Sequence, residues 1–320
     1  MEKKYVVGID IGAQSAKIGI VDKFGTVVVQ KAIESNNTTE FEVFLNNLVD
    51  AINELLRTKG VDVKEVQGIG VGAPNGNYYT GEIKFAPNLT WGKDKTIQFT
   101  TKLEEKTGLR CTLTNDANAT AMGEMQYGAA KGMKNFIEIT LGTGVGSGIV
   151  INGEVLYGHD GFAGELGHTS VVRGENGRIC GCGRKGCLEA YTSAIGLART
   201  AREILENTNE KSSLRETPLD KISSKEVAEA ANQGDELAKR IYNQTGRLLG
   251  EAITDFVAFS APEAIILFGG MTKAGDLIMK PVKEAFEENV LKLWQGKVKI
   301  IFSGLPESDA AILGAGALAW

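Results

Sequence analysis

The chain is poor in several things. It has six prolines and two histidines in 320 residues, and no apolar run near the roughly 20 residues that cross a bilayer. Forty glycines with so few prolines, and no repeat of three, exclude a collagen-like chain. Positive charge is short as well: 35 Lys and Arg face 40 Asp and Glu, a net charge of −5. That balance gives no electrostatic reason to expect nucleic acid or a membrane as partner. The opening MEKKYVVGID has too short an apolar stretch for a secretion signal and then meets an aspartate, so a cytosolic protein is expected. No GxxxxGK[ST] string occurs, which excludes a P-loop. Cysteine is scarce too, yet three of the four fall in the twenty-two residues from His168 to Glu189. In the cytosol thiols stay reduced, so such a cluster favours a metal over disulfides.

What is present reads as alternating α and β elements, an α/β protein long enough for two domains. KYVVGIDIGAQSAKIGIVDKFGTVVVQKAI predicts three strands, and Phe41, Phe44, Leu45, Leu48, Ile52 and Leu55 at helical spacing predict a helix from about 40 to 58. VQGIGVGAP reads as a buried strand; its GIGVGA fits a dinucleotide string, but Pro74 follows and no helix opens there. Further helices are expected over 96–107, 117–130, 189–206, 225–232 and 236–258, with strands at EAIILFGG and KVKIIF and a small-residue helix at the end. FIEITLGTGVGSGIVINGEV can be laid on the opening hairpin at an offset of 130, Gly142 on Gly12 and Ile151 on Val21. The self-similarity predicts two halves, each beginning with a hairpin that presents a backbone turn.

DIGAQSAK and LGTGVGSG are therefore candidate phosphate turns; each alone also reads as an ordinary tight turn, and the pair is the stronger signal. FGGMTKAGD, between a strand and a helix, offers a third glycine approach. His168, Cys180, Cys182 and Cys187 supply a complete tetrahedral donor set for structural Zn²⁺, with no ligand place left for an activated water. Cys111 reads as a small core residue, and His159 has no evident partner. Asn115-Asp116 before a helix reads either as an N-cap or as an aspartate base at a strand end. Glu165, His168 and Glu189 flank the cysteine loop, a set suited to several hydroxyls or simply to solvent.

Together DIGAQSAK, GVGAPNG, PNLTW, TNDANATAMGE, LGTGVGSGIV, GELGH, CGCGRKGCLE and ILFGGMTKAGD resemble, in order and over nearly the whole chain, the ROK (repressor, open reading frame, kinase) sugar kinases. The resemblance implies an actin-like ATPase (ribonuclease H-like) fold: two domains, a duplicated β-hairpin core and an interdomain cleft. It places the smaller domain at 1–115, completed by a C-terminal helix over 307–320, and the larger one with its zinc loop at 116–306. It implies Asp116 as catalytic base, and Asn88, Asn115, Asp116, Glu165, His168 and Glu189 on a hexose, most of all glucose. ATP would lie on Gly12, Lys17, Gly142, Thr143, Gly144, Gly269 and Gly270, with Asp10 serving Mg²⁺. The first turn departs from the family's DxGGT at Ala13 and Gln14. A sugar-sensing transcriptional regulator is the rival within the family, but those members carry a DNA-binding domain ahead of the first turn, and here Asp10 follows nine residues. A homodimer or higher homo-oligomer is expected, as for most soluble assemblies.

Overall fold

The computed structural model describes residues 2–306 and 308–320. Strands β1 (Tyr5–Ile11), β2 (Ser15–Asp22) and β3 (Val27–Glu34) lead into helix α1 (Phe41–Lys59) and strand β4 (Val66–Gly72). Two short strands follow, β5 (Ile83–Lys84) and β6 (Thr96–Ile97), then α2 (Phe99–Thr107), β7 (Cys111–Thr114) and α3 (Asp116–Tyr127). The second set opens with β8 (Phe136–Leu141), β9 (Val145–Ile151) and β10 (Glu154–Val155). It continues through α4 (Glu189–Thr192), α5 (Ala194–Asn207), α6 (Ser224–Asn232), α7 (Glu236–Ser260), β11 (Ala264–Phe268), α8 (Asp276–Asn289) and β12 (Lys299–Phe302) to α9 (Ala310–Ala317).

The repeat seen in the sequence is a repeat of whole sheets. One runs β3-β2-β1-β4-β7 and the other β10-β9-β8-β11-β12. In the first, β2 pairs antiparallel with β1 and β3, and β4 pairs parallel with β1 and β7. In the second, β10 pairs antiparallel with β9, and β11 pairs parallel with β8 and β12.

The chain forms two compact units, Met1–Lys134 with Gly148–Gly164 and Ser303–Trp320, and Asn135–Ser147 with Glu165–Phe302. This division differs from the one read from sequence, which ended the first domain at 115. The first unit continues through α3 because α3 packs on α9: a Cβ on Gly123 would lie 2.9 Å from the Gly314 Cα. Helix α9 also rests its backbone directly on the first sheet, since a side chain at Gly8 or Gly70 would overlap the carbonyl oxygens of Ile312 or Ala315. Part of the glycine surplus is thus spent on close helix-to-sheet packing. Glu307, where the terminal helix was expected to start, lies outside the described residues; the helix itself is Ala310–Ala317.

In the first unit the apolar stripe of α1 buries Phe44, Leu45, Leu48, Ile52 and Leu55, and Gly60 ends the helix in a left-handed conformation at φ 70°. Fully buried Trp91 stacks on Phe44 at 4.8 Å between ring centroids and donates its indole N–H to the Ser35 carbonyl at 2.9 Å. The loop PNLTW is thereby pinned to the core. In the second unit Asp235 caps α7 by accepting from the Ala238 N–H, and Ser223 and Glu226 close a capping box on α6. The single helix expected over 189–206 is broken at Ser193, whose side chain accepts from the Gly196 N–H and caps α5. Among the described residues no helix is long and apolar enough to cross a membrane.

Candidate active-site residues and metal loop

In the first unit the turn between β1 and β2 closes through the Gly12 N–H on the Ser15 carbonyl at 3.0 Å. Ala13 is absent from the residues with left-handed backbone, so the turn needs no glycine there and the departure from GGT carries no strain. Asp10 lies across the hairpin from Lys17 in register. Burial pushes the Asp10 carboxyl up to about 6, the charge of Asp116 adds to the rise, and Lys17 opposes it.

Asn115 settles the N-cap alternative: its side chain accepts from the Asn118 N–H at 2.7 Å and starts α3. Asp116 is thereby the first helical residue, with its Oδ1 2.9 Å from the Ala117 N–H. It keeps one side open to solvent. Even so, the protein around it strips water from the carboxyl and raises its pKa, against the pull of the N–H groups of Ala117 and Asp116 itself. A carboxylate whose proton affinity is raised in this way is suited to accept a proton at neutral pH. Gly72 lies against the start of α3, where a Cβ would sit 3.2 Å from the Ala119 Cβ. Behind the pair, the Tyr157 hydroxyl bonds the Thr114 side chain, and Tyr157 stacks on Tyr78 at 4.0 Å. Asn88 is exposed on the loop that Trp91 anchors. Asn75 and Gly76 are structural: the Asn75 amide donates to the carbonyls of Lys84 and Phe85, and a side chain at Gly76 would strike the Thr114 carbonyl.

In the second unit the ligand atoms of His168, Cys180, Cys182 and Cys187 all lie within 4.8 Å of one another. The Cys182 and Cys187 sulfurs are 3.7 Å apart, and the Cys180 sulfur is 3.8 Å from His168 Nδ1. Four ligands about 2.3 Å from a zinc ion have edges of about 3.8 Å, so the residues fit the ion. The loop is a miniature hairpin, with Ile179 bridged to Lys185 and left-handed Gly183 and Gly186 turning it. Arg178 ties its base to the helices by donating to Glu203 and to the Ala190 carbonyl. With Nδ1 turned to the sulfurs, His168 Nε2 faces Glu165 at 3.9 Å.

Glu189 joins this loop to the second glycine turn. Its Oε2 accepts from the Val145 N–H at 2.9 Å, and its Oε1 lies 3.5 Å from the Cys180 sulfur. A Cβ at Gly144 would overlap that carboxylate, so any larger residue there would have to push Glu189 off the Val145 N–H. The turn closes through the Gly142 N–H on the Gly144 carbonyl, and the Ala194 N–H at the start of α5 holds the Gly142 carbonyl. Gly269 likewise has an internal reason, a φ of 101° and the Leu141 carbonyl 2.6 Å from its Cβ position. Gly142 and Gly270 have no such reason: among the described residues, the adjoining chain aside, nothing lies within 4 Å of a Cβ at either, and neither has a left-handed backbone.

Two residues were missed by reasoning from sequence, Asn36 and Tyr157. Both act through contacts far along the chain, and neither belongs to a spaced motif. The signal in the sequence is the tryptophan that follows in PNLTW, a large residue able to pin the loop of Asn88 to a core.

Duplicated sheets of one order, glycine turns at corresponding places, an Asn-Asp helix start and a Cys₃His loop define an actin-like α/β kinase architecture. The sequence profile of the ROK family matches residues 6–320. The chain belongs to the ROK family. A glucokinase of Halalkalibacterium halodurans is 37% identical over 320 residues, covering 99% of this chain and 95% of that one. A ROK family glucokinase from Streptomyces griseus, solved with glucose and AMPPNP, is 31% identical, with a TM-score of 0.79 over 98% of both chains. A solved ROK family transcriptional regulator, a homologue of the E. coli MLC protein, is 26% identical, with a TM-score of 0.85 over 98% of this chain and 77% of that one.

Proposed function

We propose that the protein is an ATP-dependent glucokinase that moves the γ-phosphoryl group of ATP to the 6-hydroxyl of glucose. The observation that carries this reading is the glucokinase match across the whole chain at 37% identity. Fold alone does not select it, because the regulator superposes as well as the glucokinase does. Identity and coverage favour the enzyme.

In this reading Asp116 accepts the proton of the 6-hydroxyl as the new P–O bond forms, and its raised proton affinity supports that role. Asn88, Asn115, Glu165, His168 and Glu189 hold the other hydroxyls. His168 offers Nδ1 to the metal and keeps Nε2, beside Glu165, for the sugar. Gly12, Gly142, Thr143 and Gly144 present backbone to the phosphates, and Gly269 and Gly270 back the adenosine. The open surroundings of Gly142 and Gly270 support this, since they leave room for a ligand to lie against the backbone. Asp10, kept partly in check by Lys17, orients Mg²⁺ and its waters, and the ion when bound neutralises phosphate charge. A zinc ion in the Cys₃His loop would stiffen the segment that carries Glu165 and Glu189. Phosphoryl transfer asks mainly for such alignment and charge neutralisation. The protein acts in the cytoplasm as a homo-oligomer, supplying glucose 6-phosphate to glycolysis.

A coupled assay of ADP release with glucose, fructose, mannose, allose, N-acetylglucosamine and N-acetylmannosamine tests the reading. Glucose is expected to give the highest kcat/KM. No turnover on any of them by protein with its zinc in place would refute the enzyme class.

A further inference from the structure

Asn36, in the segment between β3 and α1, spends its carboxamide chiefly on backbone, with the Thr90 hydroxyl also 3.2 Å from its Oδ1. Its Nδ2 donates to the Ala13 carbonyl at 2.5 Å and to the Asn88 carbonyl at 2.9 Å. Its Oδ1 accepts from the Thr90 N–H at 2.9 Å. Its neighbours repeat the link. The Ser35 N–H donates to the Gln14 carbonyl at 3.1 Å, the Ser35 carbonyl takes the Trp91 indole, and the Thr90 hydroxyl donates to the Thr38 carbonyl at 2.6 Å. One side chain thus ties the tip of the first glycine turn to the loop bearing Asn88. Asn36 is exposed, so water would satisfy its amide at little cost, and burial does not demand these bonds. What they achieve is a fixed relation between two segments 75 residues apart, Ala13 and Asn88.

We propose that Asn36 is a positioning residue that couples the two substrates, holding the first phosphate turn and the sugar loop in one arrangement so that occupancy of either orders the other. The inference rests on the reading above that the turn takes nucleotide phosphate and that Asn88 takes sugar. Because Ala13 replaces the family's usual glycine there, the tip offers a carbonyl with ordinary backbone geometry as a fixed acceptor. Coupling of this kind is reciprocal: nucleotide must raise glucose affinity by the same factor that glucose raises nucleotide affinity.

The test is calorimetric titration of glucose into the full chain, alone and with saturating Mg²⁺ and AMPPNP. The unchanged protein is expected to bind glucose about fivefold or more tighter with the analogue present. Asn36→Asp keeps the shape and the acceptor for Thr90 but loses both donors. It should bring that ratio close to one while leaving the thermal midpoint nearly unchanged, and Asn36→Ala should do the same. A purely structural role would weaken glucose binding equally in both titrations and leave the ratio intact, which would overturn the proposal. A ratio of one in the unchanged protein would overturn it as well. No glucose binding by the unchanged protein in either titration would instead bring down the proposed function, and the coupling with it.

Discussion

The turn at Gly12–Ser15 and the turn at Gly142–Val145 occupy the same place in two sheets of the same order; a backbone N–H grips a carbonyl of each, Ser35 on Gln14 and Ala194 on Gly142, but the side chains that hold them are of opposite character. The first is gripped by a donor, the neutral carboxamide of Asn36 on the Ala13 carbonyl. The second is gripped by an acceptor, the Glu189 carboxylate on the Val145 N–H. The first turn follows Asp10, whose carboxyl is raised by burial and then by the charge of Asp116. The second is wired to the metal loop. The duplicated frame supplies the turn in each case, and residues outside the repeat decide what each turn is coupled to. In the proposed enzyme the first region carries the chemistry and the second much of the sugar binding.

That division can be broken most sharply at Asp116. Asp116→Asn keeps the shape and cannot take the proton, so kcat should fall by about 10²- to 10⁴-fold while glucose affinity by calorimetry stays nearly constant. Retained turnover would remove Asp116 from its role. Cys182→Ser should do the reverse, weakening glucose binding by about tenfold and lowering Tm by about 5 °C through loss of the ion, with metal content read by atomic absorption. Unchanged glucose affinity in the zinc-free variant would cut the loop from the sugar.

Asp10 gives a smaller, pH-dependent effect. Its folded pKa of about 6 lies above the ordinary 3.8, so the folded state holds a proton that the unfolded chain has lost. Stability should therefore fall as pH rises from about 4 to about 6 and then level, by up to about 3 kcal/mol from this group. Asp10→Asn should abolish that decline in urea titrations without Mg²⁺ and stabilise the protein at pH 7, while impairing turnover. A variant with the same pH slope as the unchanged protein would contradict the assignment. The smallest effect sharpens the comparison within one turn. Gly142→Ala meets no protein atom, so Tm should hold while the KM for ATP rises severalfold; Gly144→Ala displaces Glu189 and should lower Tm and glucose affinity together. Equal behaviour of the two would dissolve the distinction between a glycine kept for a ligand and one kept for a carboxylate.

Much of this was legible in the sequence because the informative signals are local. The Cys₃His loop is compact, so its spacing alone gathers three sulfurs, and the hairpins repeat at a constant offset. Helix starts were found to within a residue or two where the apolar spacing was regular, as in α1. What escaped depends on distant partners. The break at Ser193 has a local sign in its serine cap, but the anchor that holds the start of α5, the Ala194 N–H on the distant Gly142 carbonyl, has none. The first unit extends through α3 because small residues on α9, two hundred positions later, accept its backbone. Asn36 looks like one polar loop residue among several in SNNTTE; only the folded chain shows both of its protons committed to segments on either side of it.

The central claim is met most directly by following the phosphoryl group itself. Phosphorus-31 NMR of the zinc-loaded protein with glucose and Mg²⁺-ATP should show ADP and glucose 6-phosphate appearing one for one. Phosphate released to water, phosphate on a different hydroxyl, or ATP left intact would contradict it.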